Sequence, residues 1–166
     1  MEDYPEYNLT SKQLNVIVSA SALHDVGKIA IPDSILLKPG RLTKEEFEYM
    51  KEHTTKGCEI INNIRGVWSE EYAKASYEIC RHHHERYDGR GYPDGILGEN
   101  IPISAQLVAV ADVYDALVNE RVYKSAFSAD KAFNMIINGE CGTFSPKLMD
   151  CFTKCRDRFE SLAGER

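Results

Sequence analysis

Residues 81–93 read Arg81-His82-His83-His84-Glu85-Arg86-Tyr87-Asp88-Gly89-Arg90-Gly91-Tyr92-Pro93, three of the chain's five histidines followed by a run rich in Gly, Tyr and Pro. No helix continues through such a run, so the histidines close a helix against a stiff turn. The other two histidines, His24 and His53, stand upstream, one in each of the two preceding helical stretches, with Asp25 directly beside His24. Three helices that each bring imidazole to one point read as a metal site.

Working outward, Thr10 or Ser11 caps a first helix that buries Leu14, Ile17, Val18 and Leu23. That helix carries His24 and Asp25 to its C-terminal end and stops at Gly27. Ile29 to Leu37 reads as loop, punctuated by Pro32 and then by Pro39-Gly40. A second helix opens on a capping box, Thr43 with Glu46, and closes at Gly66. Phe47, Met50, Gly57, Ile60, Ile61 and Ile64 mark its inner face, which His53 shares. In the third, from near Ser69, the less polar side holds Ala73, Ser76, Tyr77, Cys80 and Tyr87. At about 100° per residue His83 and His84 flank that side, while His82 points away as a surface histidine.

Residues 88–103 form a Gly/Pro-rich loop, and the helix from Ser104 to Val118 is apolar nearly all round and therefore central. Asp112 sits in its middle among small neighbours. A buried carboxylate needs a metal or a cation, so Asp112 is either a ligand or the partner of an Arg or Lys. Two further helices follow, from Ser128 to Asn138 and from Ser145-Pro146 towards Leu162. With no internal repeat, low-complexity segment or convincing strand, the expected fold class is an all-α bundle.

At 166 residues the chain makes one domain, long enough for a core without disulfides. The apolar share of 43% and charged share of 28% are those of a soluble globular protein. There is no membrane-length apolar run and no signal peptide, and the expected location is cytoplasmic. Five cysteines, an odd number, read as reduced thiols. Cys151 and Cys155 are taken as buried small hydrophobes rather than a second metal site. The net charge of −6 disfavours DNA, RNA or an anionic membrane as partner. A phosphate substrate is still accommodated if metal ions and a few basic residues supply local positive charge.

The candidate ligands are His24, Asp25, His53, His83, His84 and Asp112. Imidazole and carboxylate together suit Fe, Mn or Zn, and the absence of cysteine argues against a structural zinc site. Six ligands exceed the needs of one tetrahedral metal. With Asp25 shared, they can hold two metals with a bridging hydroxide between them, the chemistry of phosphoester hydrolysis.

His24-Asp25-Val26-Gly27-Lys28 resembles the HD signature of the HD phosphohydrolase superfamily, and residues 83–93 resemble the HHExxDGxGYP signature of its HD-GYP subfamily. The likeness runs on through Ile31-Pro32-Asp33, Met50 with His53, residues 98–102, residues 110–117 and Arg121-Val122-Tyr123-Lys124. It implies an HD-domain-like helical bundle over residues 10–162 after an irregular stretch at 1–9, with residues 88–93 as the GYP loop. The implied activity is that of a bacterial signalling phosphodiesterase: cyclic di-GMP is cut to pGpG or GMP at a centre of two Fe or Mn ions, at least one of them bound. Zn or Ni would be found in some purified samples. Carried over by position, one metal takes Asp25, His53, His83 and His84, and the other takes His24, Asp25 and Asp112. Asp25 and Lys28 would be catalytic, with Lys28, Arg121 and Lys124 near the substrate phosphate; for the last two a solvated helix end is the equal alternative. Asp88, Gly89, Gly91, Tyr92 and Pro93 would form a substrate lip, a contact for a GGDEF-domain partner, or simply a stiff support for the histidine helix. Family members carry a further metal-binding histidine on a helix ahead of this start, and no histidine precedes His24 here. The expectation is a shortened domain, either a piece of a longer sensor protein or a naturally short form, with a weakened His24/Asp112 site and an exposed apolar groove that favours a homodimer. A module that binds metal or nucleotide and docks without turnover is the competing reading.

Overall fold

Thr10 accepts a hydrogen bond from the Gln13 backbone, and Gln13 reaches back to the Thr10 N–H, a reciprocal cap that starts the first helix at Ser11. The computed structural model of the chain describes residues 7–120 and 126–164. Within them it is helical: α1 Ser11–Ser21, α2 Asp33–Leu36, α3 Lys44–Lys51, α4 His53–Ile64, α5 Glu70–His82, α6 Ile103–Val118, α7 Ala129–Ile137, α8 Pro146–Lys154 and α9 Arg156–Gly164. Thr43 with Glu46 caps α3 in the same reciprocal way, Ser69 caps α5 and Ser128 caps α7. Pro146 occupies the first turn of α8.

Several boundaries differ from the sequence reading. α1 stops at Ser21, so His24 and Asp25 lie in the turn beyond it, and a 3-10 turn over Val26–Ala30 and the short α2 replace the expected loop. The expected long second helix breaks at Glu52 into α3 and α4. α5 ends at His82, leaving His83 as its C-cap and His84 beyond it. The last helix is likewise two, divided at Cys155. Cys58 and Cys80 are buried, whereas Cys151 and Cys155 are only half-buried. Periodicity merges helices that share a face, and only the packing of neighbours fixes where the axis turns.

α5 is the hub. α1 and α4 pack on it from two sides, and α6 crosses it on a third. Ile17 and Ala20 of α1 meet Ala75 and Ile79 of α5 and Val108 of α6 in one core cluster. Cys58 and Ile61 of α4 meet Cys80 of α5 in a second. A third, larger cluster joins Val110, Tyr114 and Leu117 of α6 to Phe133 and Ile136 of α7 and Leu148 and Phe152 of α8. Val18, expected inside, is 70% exposed, and Phe47 and Ile64 are also exposed. α6 is not apolar to every side. Its Ala111–Asp112–Asp115 edge looks onto an apolar groove of about 650 Å³ between α1 and α6.

Gly27 has no positive φ and does not stop a helix. It is where the 3-10 turn touches α4: a Cβ there would overlap the His53 carbonyl and the Gly57 amide. Gly57 leaves the matching space on α4, filled on its other side by the Cys80 thiol. Gly27→Ala is therefore expected to lower stability by about 1–3 kcal/mol through overpacking. Thermal unfolding reads the loss against a Gly66→Ala control, where the added Cβ meets nothing.

Candidate metal centre

Three histidines finish three helices in the same way. His24 donates Nδ1–H to the Ser21 carbonyl at the end of α1, at 2.8 Å. His53 donates Nδ1–H to the Met50 carbonyl at the end of α3, also at 2.8 Å. His83 donates Nδ1–H to the Ile79 and Cys80 carbonyls in the last turn of α5, at 3.0 and 3.1 Å. A carbonyl can only accept, so the proton of each ring is fixed on Nδ1. The Ser21 and Ile79 carbonyls also accept the backbone N–H of His24 and His83, so each imidazole is a second donor to a carbonyl in a closing turn. The consequence is that every Nε2 faces inward.

Those nitrogens converge on Asp25. Its Oδ1 is 3.4 Å from His53 Nε2 and 3.8 Å from His83 Nε2, and the two Nε2 atoms are 3.5 Å apart. Asp25 Oδ1 is buried and accepts no hydrogen bond from the described residues. Burial, with the nearby His24 and His53, pushes His83 down to about 4. Burial, with His83 and His53, takes His84 down to about 2. Burial also lowers His53. At neutral pH these rings are uncharged, so the Nε2 atoms of His53 and His83 present lone pairs to each other and to a carboxylate oxygen. Such a set is repulsive until a cation enters, and the donor types fit one: imidazole nitrogens whose rings are oriented by backbone carbonyls, with a carboxylate beside them. Asp25, His53, His83 and His84 each place a donor atom within 4.8 Å of the others'.

His24 and Asp112 stand alongside this group. His24 Nε2 is 3.2 Å from Asp25 Oδ2 and 3.8 Å from Asp112 Oδ1. The hydrogen bond to Asp25 raises His24 against the opposing effect of burial. Burial would raise Asp25, but hydrogen bonds from His24 and Lys28 and their positive charge hold it well below the usual carboxylate range. Lys28 Nζ lies 2.5 Å from Asp25 Oδ2. Asp112 is half-buried at the mouth of the α1/α6 groove, not enclosed as α6 alone suggests. Arg121 and Lys124 lie outside the described residues.

The loop after α5 folds back onto the histidines. Tyr92 donates its N–H to the His84 carbonyl and stacks its ring on the His84 imidazole, centroids 4.7 Å apart. Gly91 passes so close to Glu85 and Arg86 that a side chain there would overlap their backbone. Glu85, which the sequence reading left without a role, is buried and accepts from the amides of Asp94, Gly95 and Ile96 at 2.7, 3.0 and 3.0 Å. Its signal was a glutamate locked between two histidines and a turn, a place where a carboxylate has only backbone to bind. Asp88 binds Arg86, Thr143 and the Arg90 amide, so it ties the loop together. His82 is not a surface residue: only 12% of its side chain is exposed, and Nδ1 faces Asp94 at 3.4 Å because the returning loop covers it. Asp94 is also clamped by Arg81 through two bonds of 2.7 Å.

Residues 5–148 match the family model described as HD domain. Among curated relatives, the chain is 44% identical over 164 residues to a cyclic di-GMP phosphodiesterase of Vibrio cholerae, covering 97% of this chain and 33% of that protein. It is 44% identical over 149 residues to a cyclic di-GMP phosphodiesterase of Thermotoga maritima, covering 90% of this chain and 39% of the relative. A 3'3'-cGAMP-specific phosphodiesterase 2 of Vibrio cholerae is 39% identical over 156 residues, covering 94% and 29%. The chain thus spans only a minor part of the length of each relative.

Two outcomes follow from the burial of these groups. In the metal-free protein the unfolded chain takes up a proton at His83 near pH 6.5, whereas the folded one does so only near 4. Stability from this residue is therefore complete above pH 6.5 and declines as pH falls to about 4, by about 3 kcal/mol at most. The raised His24 acts oppositely, stabilising in acid and losing its contribution as pH rises through its folded pKa, so the slope is read as the difference between wild type and His83→Asn in urea unfolding at several pH values. Glu85→Gln puts an amide NH2 among backbone N–H donors, and is expected to cost about 1–3 kcal/mol and to speed amide exchange at Asp94–Ile96.

Proposed function

Since the chain belongs to the HD domain family, and by residues 83–93 to its HD-GYP branch, we propose that residues 10–162 are a metal-dependent phosphodiesterase domain that hydrolyses cyclic di-GMP to pGpG or GMP. The observation that carries the reading is the convergence of the His53 and His83 lone pairs on the unpartnered Asp25 Oδ1. Such a pocket is built for a cation, and the curated relatives named above are phosphodiesterases of cyclic dinucleotides.

Asp25, His53, His83 and His84 would hold one ion, and His24 and Asp112, with Asp25 between, would hold a second. Imidazole with carboxylate and no thiolate is compatible with iron, manganese or zinc, and iron or manganese is the proposed pair. When bound, the metals would supply Lewis acidity and a water-derived nucleophile at neutral pH. The protein's own contribution is preorganisation. The carbonyls at the ends of α3 and α5 hold the His53 and His83 rings with Nε2 free, so no rearrangement of either is needed. Because His83 and His84 are already neutral at pH 7, no proton has to leave them. Lys28, bound to Asp25 and 38% exposed at its side chain, would offer its ammonium to a substrate phosphate beside Asp25. The proposed partner is the nucleotide substrate. A sensor region elsewhere in a longer protein and a GGDEF-domain protein are further proposed partners. No described helix is long and apolar enough to cross a membrane.

The test is anaerobic hydrolysis of cyclic di-GMP with Fe(II) or Mn(II), followed by chromatography. Wild type is expected to form pGpG or GMP, and His83→Ala to lose more than about 100-fold in rate, beyond what loss of an orienting neighbour costs. Metal content measured on the same samples should fall in the variant. A wild type that binds metal and cyclic di-GMP without product would replace the enzyme reading with that of a binding module.

A further inference from the structure

Phe47 belongs to no described hydrophobic cluster and stands on α3, a helix without a buried residue. Single exposed apolar residues are ordinary on a protein surface. This one, 47% exposed, is one ring away from the metal centre. Its ring meets Tyr92 edge-on at 6.2 Å, and Tyr92 in turn stacks on His84. Lys51 Nζ lies 5.6 Å from the centroids of both Phe47 and Tyr92, steadied by Glu48 at 2.7 Å.

We propose that Phe47 is the stacking seat for a purine base of the substrate, an inference that rests on the cyclic dinucleotide reading above. A dinucleotide whose phosphate lies at the histidines carries its bases outward from them, and the His84–Tyr92–Phe47 series runs outward to an exposed ring. Tyr92 has its ring packed on His84 and is half-buried; Phe47 is the more open of the two. An aromatic face accepts any base, which suits a family whose relatives are named for cyclic di-GMP and for 3'3'-cGAMP, ligands that share guanine. Lys51 beside the seat brings a cation to the edge of a stacked base, where guanine presents O6 and N7 as acceptors. The competing role for Phe47 is to prop Tyr92 against His84, and it makes different demands on the data.

Phe47→Ala and Phe47→Trp are compared with wild type in the Mn(II)-loaded protein, using cyclic di-GMP and the base-free diester bis(p-nitrophenyl) phosphate. The expected result is a rise of about 10-fold in KM for cyclic di-GMP in Phe47→Ala, with kcat much less affected and a far smaller change on the base-free diester. Phe47→Trp should restore KM, and its indole fluorescence should be quenched by GMP. An unchanged KM for cyclic di-GMP in Phe47→Ala overturns the seat. Equal losses on both substrates, with reduced metal content, overturn it in favour of the prop. A wild type that cleaves the base-free diester but neither binds nor cleaves cyclic di-GMP overturns the substrate reading itself, and the seat falls with it.

Discussion

Proton placement on three imidazoles governs the arrangement. His24, His53 and His83 each give their Nδ1 proton to a backbone carbonyl at the end of a helix. Each thereby adds a side-chain donor to a carbonyl in a closing turn and points its Nε2 the other way, bare in His53 and His83 and bound to Asp25 in His24. Helix termination and ligand orientation are one interaction. Burial then depresses His53, His83 and His84, so the lone pairs stay available at neutral pH. What results is a half-buried cluster of donor atoms around Asp25 that a cation would complete.

Close backbone approach keeps this space small. Gly27 and Gly57 let the turn carrying Asp25 rest directly on the helix that begins with His53. On the opposite side, buried Glu85 gathers the amides of Asp94, Gly95 and Ile96 and pulls the loop back so that Tyr92 covers His84. Asp88 and Arg86 fasten the same loop to Thr143 ahead of α8. The GYP loop is thus a wall of the site as well as its rim. Its tyrosine is committed to His84, which moves the role of an open contact outward to Phe47.

The helical class, the Thr43 cap, the helix starts near Thr10, Ser69 and Ser128, and the grouping of Asp25, His53, His83 and His84 could all be read along the chain, because caps and signature motifs are local. Axis breaks at Glu52 and Cys155 could not, since residues on both sides share a face and a periodic pattern runs through the break. His82 was misread for a related reason. Helical angle says where a side chain leaves its own helix, but the cover over His82 comes from Asp94, on the returning loop. Val18 and Phe47 look like core residues by spacing, yet both are exposed, because which face of a helix is covered depends on its neighbours.

The sequence by itself determined the class of fold and the inventory of donors, since both depend on residue types at fixed spacing and on motifs long enough to be specific. Only the tertiary structure decided which donors meet. Four gather within one group, while His24 stands beside it on Asp25 and Asp112 faces His24. It also decided the ionisation of the rings, because burial depends on neighbours brought from three helices and a returning loop. Spacing can nominate a ligand, but desolvation and lone-pair direction are properties of the packed molecule.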